Sequence, residues 1–197
     1  MGSVRLYGAT SGYLELQAPD VAPDSTLVLP SDSLQPGLVH LHTESFSAVS
    51  SVSVDDVFSS TYDNYRIAIS ASSSGSTTIG LRFRSSGTDT SSGYATERIY
   101  GYDANMGAQY ISNTQLWLTG NDIANEPALM SIDLANPYLA QHTLASNFAT
   151  GSNSTTITFV NLTTTRLRNS VSYDGFSINS SPSTITGTLR VYGYRNS

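Results

Sequence analysis

The sequence predicts an all-β protein: an antiparallel β-sandwich of jelly-roll type with an N-terminal β-arm. Three observations carry that expectation. Short runs of β-branched and aromatic residues alternate with polar ones, recur about every ten residues and are bounded by Gly, Ser, Asn and Asp. Helix signals are nearly absent. Charged residues are only 12% of the chain, and 33 serines and 22 threonines take over the solubilising role, as suits many half-buried strands.

Taken in order, "SVRLYG", "YLELQA" and "STLVLP" read as three strand stubs. Val4 and Leu6, Leu14 and Leu16, and Leu27 and Leu29 give each stub one apolar side. The stretch "PSDSLQPG" then breaks the pattern with two prolines and a glycine. It divides an arm, residues 1–36, from a body, residues 37–197, of a size usual for one sandwich. Six aliphatic side chains cannot offset the ordering of some thirty residues at ~1–2 kcal/mol each for the backbone alone. The arm is therefore expected to be an attachment and oligomerisation element that borrows burial from other chains.

In the body, "NYRIAIS" sets Tyr65, Ile67 and Ile69 on one face. "TIGLRFRS" turns Ile79, Leu81 and Phe83 inward and Arg82 and Arg84 outward, and "TQLWLTG" alternates around Leu116 and Leu118. "LMSIDLA", "TITFVNL", "VSYDGFSI" and "ITGTLRVYGY" continue the strand pattern to the end. The one helix candidate is "NPYLAQHTLAS", Asn136 to Ser146, with Pro137 in its first turn.

Composition excludes several functions. The formal net charge is −6 and all nine cations are arginine, too few for a nucleic-acid partner or an anionic membrane surface. Without cysteine there is no disulfide, no thiolate metal site and no thiol nucleophile. No apolar run reaches membrane-spanning length, so no membrane insertion is expected. "MGSVRLYG" lacks the basic and apolar regions of a signal peptide. No nucleophile elbow, phosphate loop or dinucleotide fingerprint occurs, so neither an enzyme nor a cofactor is expected.

Three groups of residues could carry binding chemistry. His40, His42 and Glu44 alternate in "LVHLHTE", so a strand sends all three to one face, as metal ligands would need; an ordinary polar strand face has the same pattern. Tyr100, Tyr102 and Tyr110 with Asp103, Asn105 and Gln109 form a Gly-punctuated loop suited to stacking on a sugar and bonding its hydroxyls, or to packing on a sandwich face or against another subunit. Arg82 with Arg84, and Arg166 with Arg168, suit carboxylates of a neighbouring subunit or plain solvent. Asp55 and Asp56 read as a turn rather than an acid pair, and the sequons at Asn153, Asn161 and Asn179 are chance matches in a Ser/Thr-rich chain.

The stretch "GATSGYLELQAPDVAPDSTLVLP" resembles the adaptor segment of tailed-bacteriophage virion proteins: Gly-x-Thr-Ser-Gly, an alternating strand, Ala-Pro, a spacer and Thr-Leu-x-Leu-Pro. "FSSTYDNYR", Phe58 to Arg66, and the closing "TITGTLRVYGYRNS" are similar to the first and last strands of a phage appendage domain. The resemblance covers about the first 70 residues and the last dozen. It implies a capsid decoration, head-fibre or tail-fibre protein on the virion exterior, a homo-oligomer, commonly a trimer, docked on capsid or tail proteins. A tail-fibre role would add a host surface glycan as partner.

Overall fold

The structure, a computed structural model, describes residues 3–7, 13–17, 37–102, 105–113, 115–119, 123, 126–152 and 158–196. The chain divides into two compact units, Met1–Gln35 and Pro36–Ser197. In the first, β1 (Ser3–Tyr7) and β2 (Tyr13–Gln17) pair antiparallel, with Val4 opposite Leu16 and Leu6 opposite Leu14. Leu27 and Leu29 lie outside the described residues.

The second unit is built of strands alone among the described residues. They are β3 (Leu38–Val49), β4 (Ser51–Val54), β5 (Asn64–Ser73), β6 (Thr78–Ser85), β7 (Thr88–Asp89), β8 (Tyr94–Tyr102), β9 (Asn105–Asn113) and β10 (Leu116–Trp117). Then follow β11 (Ala128–Ala135), β12 (Thr143–Ser152), β13 (Thr158–Leu167), β14 (Gly175–Ser181) and β15 (Ile185–Tyr194). Eight of them form one antiparallel sheet in the order β3-β15-β5-β11-β12-β13-β8-β9. A smaller sheet, β10-β6-β14-β4 with β7 paired to β6, packs over it as the second layer of a β-sandwich.

Alternation explains the core between the layers. Tyr65, Ile67 and Ile69 of β5, Met130, Ile132 and Leu134 of β11, and Leu189 and Val191 of β15 meet Ile79, Leu81 and Phe83 of β6 and Phe176 and Ile178 of β14, all buried. Each such side chain contributes about 1.5–3 kcal/mol of burial. Leu116 and Leu118 are buried too, as their spacing predicts.

Two expectations are corrected. Asn136 to Ser146 is not a helix: a turn follows Pro137 and β12 begins at Thr143. The strand forms because Thr143, Ala145, Asn147 and Ala149 point inward while Leu144, Ser146 and Phe148 point out, a period of two that the apolar residues alone conceal. The second correction concerns β3. Its pairing with β15 slips between Val191, opposite His42, and Tyr192, opposite His40. This bulge, with Leu41 as the extra residue, turns His40 to the face opposite His42 and Glu44. His40 then bonds Thr43 at 2.7 Å and packs edge-on against Tyr192, while His42 pairs with Glu44 at 3.5 Å.

Candidate functional site

Part of the large sheet buries polar side chains. On β8, β12 and β13 the buried positions include Thr96, Arg98, Thr143, Asn147, Asn161, Thr163 and Thr165, beside Tyr94, Ala145, Ala149 and Leu167. Burying such groups costs several kcal/mol unless their hydrogen bonds are replaced; here most are, while Thr143 Oγ1 and Asn147 Oδ1 have no hydrogen-bond partner among the described residues. The Asn147 and Asn161 amides both donate to the Leu118 carbonyl, at 2.8 and 3.0 Å, and Asn161 also donates to the Thr163 hydroxyl at 3.0 Å. Arg98 Nε donates to Asn161 Oδ1 at 2.7 Å, and the Thr96 and Thr165 hydroxyls meet at 2.7 Å. Burial holds the Arg98 guanidinium below its ordinary pKa, and its Cζ lies 4.2 Å from the centre of the Tyr100 ring. This network sits beneath the segment around β10 and fixes it to the sheet.

The other face of the same strands carries the apolar residues. In register across five strands run Ser131, Phe148, Leu162, Ile99 and Ala108, and beside them Leu129, Thr150, Val160, Gly101 and Met106. A Cβ on Gly101 would lie 3.1 Å from Met106 Sδ and 3.3 Å from Val160 Cγ1, so the missing side chain lets those two close over the strand. On the other flank the rows become mixed: Asp133, Ser146, Thr164, Glu97 and Tyr110, then Ala135, Leu144, Arg166 and Ala95. A groove of about 710 Å³ runs along this flank, with Glu97, Asp133, Arg166 and Tyr194 on its walls.

Asp133 is the best-held charge on that face. Arg66, opposite it on β5, grips it with two bonds of 2.8 Å, and the Tyr194 hydroxyl donates to it at 2.6 Å. The Arg66 bonds, helped by Tyr194 and opposed by partial burial, hold the Asp133 carboxyl below its usual range. A depressed folded-state pKa gives stability that is complete above the unfolded value of about 4 and is lost as pH falls through the folded one. Asp133→Asn should therefore flatten the fall in melting temperature below about pH 4. An acid limb identical to the parent's would refute the role. The pair is about 40% exposed, so solvent screens it and the effect at neutral pH is small.

The other residues singled out by sequence scatter. Tyr100 and Tyr102 lie parallel with ring centres 6.3 Å apart, and share a sheet face with Asn105 and Gln109. Tyr110 faces the opposite side, and Asp103 lies outside the described residues. The expected loop is a hairpin, β8–β9, and a hairpin divides alternate residues between two faces. Among the described residues no group of three or more His, Asp or Glu is placed to hold a metal. Asp55 and Asp89 are engaged by Arg84, so that arginine ties its own chain together. Asn161 is buried, which closes its sequon to modification. Sequence reasoning missed the outer rows. The signal was there in Leu144, Phe148, Val160 and Leu162 at alternate positions, but it marks which residues share a face, not which face is inside.

No protein-family model, curated protein or solved structure matches the chain.

Proposed function

We propose that the chain is a non-enzymatic structural protein of a tailed-phage virion: a homo-oligomeric decoration or head-fibre protein on the particle exterior, anchored by residues 1–36. The observation that carries this reading is the separateness of the first unit. Met1–Gln35 is compact by itself, yet its described strands are one hairpin of two five-residue strands. An isolated two-stranded hairpin is marginal in water, so such a unit needs a partner surface to stay folded. The resemblance of Gly8 to Pro30 to phage adaptor segments names the partner class, a capsid or tail protein. The body, a jelly-roll-type sandwich with a hydroxyl-rich surface, would project from that anchor.

Co-sedimentation with virions lacking the protein tests the anchor. The full chain should pellet with the particles, and a chain beginning at Gly37 should stay in the supernatant. The full chain carrying Leu6→Asp and Leu16→Asp should behave like the truncation. Equal pelleting of all three would sink the proposal.

A further inference from the structure

The described residues contain twelve large apolar side chains that are substantially exposed, and eight of them stand on one face, the outer side of β11, β12, β13, β8 and β9. Single exposed apolar residues need no explanation, but a contiguous field does. Here Phe148 is 49% exposed, Leu162 48% and Ile99 54%, in register on neighbouring strands, and Met106, 77% exposed, stands in the adjoining row. The concentration is not an overflow from a saturated core. On β8, β12 and β13 the inner side holds Thr96, Arg98, Asn147, Asn161 and Thr163 beside Tyr94, Ala145, Ala149 and Leu167, so there the sequence places large apolar residues outward while burying polar ones.

We infer that this face is the seat of a second copy of the chain, packed sheet to sheet. Area is the first argument. A side chain of this kind presents ~200 Å² when free, so eight near half-exposure offer on the order of 800 Å². That exceeds the ~300–600 Å² of the largest patch on an ordinary monomer and equals the ~800 Å² per partner of a standard interface. Charge is the second argument. The chain carries −6 overall, so most approaches between two copies are repulsive. On this face Glu97 and Asp133 are offset by Arg66, Arg166 and Arg168, and neither β9 nor β12 contributes a charge. Copies that meet here meet without that repulsion. Shape is the third. Sheets pack face to face when a layer of side chains fills the ~10 Å between them, which these rows provide, and the adjoining groove receives projecting side chains. A face that meets itself builds a twofold pair.

The inference rests on the homo-oligomer reading, and one experiment separates the two. Sedimentation velocity on the full chain should give a dimer, or an even-numbered assembly of dimers. The same chain with Ile99→Glu and Leu162→Glu should sediment as a monomer at the same concentration, with an unchanged far-UV spectrum; both positions are exposed, so the core is untouched. A variant that keeps the parent's assembly, or a parent that is trimeric, overturns the face assignment and leaves self-association standing. A monomeric parent overturns both and leaves the face to another polypeptide. A measurement without substitution guards against a misfolded variant. Under dilute peroxide Met106 should oxidise several-fold more slowly in concentrated than in dilute protein, with buried Met130 as the internal reference. Equal rates at both concentrations would count the idea out.

Discussion

Phe58→Ala should lower the unfolding free energy by about 3–5 kcal/mol, read as a shifted urea midpoint at unchanged slope. The side chain lies on the connection between β4 and β5, is 2% exposed, and touches both layers of the sandwich. Its ring centre is 4.7 Å from Tyr65 of the large sheet and 5.8 and 6.5 Å from Phe176 and Phe83 of the small one. The backbone amides of Val57 and Phe58 both donate to the Asp174 carbonyl, at 2.8 and 2.9 Å, so the connection cannot collapse into the space left by the ring. Such a cavity keeps its full volume, and the cost lies at the upper end of the range. The comparison variant Tyr65→Phe removes only a hydroxyl, which accepts the Ser59 amide at 2.8 Å and donates to the Ser59 carbonyl at 2.9 Å, the geometry of a tyrosine corner. It should cost about 1 kcal/mol. If Phe58→Ala cost less than Tyr65→Phe, the stretch from Phe58 to Arg66 would owe its form to something other than packing.

That stretch also shows what could be read from sequence. The alternation of Tyr65, Ile67 and Ile69, and of Ile79, Leu81 and Phe83, identifies strands and their inner faces, because there the apolar side is the buried side. Where polar residues are buried the same logic misleads. In β12 the inward Thr143 and Asn147 look like solvent positions, the outward Leu144 and Phe148 look like core, and Pro137 imitates the first turn of a helix. Hydrogen bonds to Leu118, far away in sequence, decide the matter, and no local pattern announces them. The bulge in β3 is hidden for a similar reason. It depends on the register against β15, at the other end of the chain, and it undoes the shared face of His40 and His42. The candidate face was legible as periodic residues but not as a surface, since which side of a strand is covered is a property of the whole sandwich.

Gly187→Ala should be the other large loss, at or above the top of the ~1–3 kcal/mol usual for an overpacked site. A Cβ at this position would sit 2.2 Å from the Ser70 carbonyl oxygen and 2.7 Å from the Ala71 Cα. Both are backbone atoms of β5, so no side chain can rotate away to make room. Relief requires β15 to separate from β5, and these strands, each paired on both sides within the large sheet, exchange bonds from Ile185 to Gly193. Gly187 also follows a slip in the pairing with β3, where the backbone is already bent toward its neighbour. Amide hydrogen exchange distinguishes this strain from a general weakening. Protection should fall along β5 and β15 first and persist on β12 and β13, whose ladder does not touch the glycine. If β12 and β13 opened together with β15, the large sheet would melt as one unit. The outer face proposed for a second copy could then not survive a disturbance at β15, whereas local opening leaves that face intact and Gly187→Ala still able to pair.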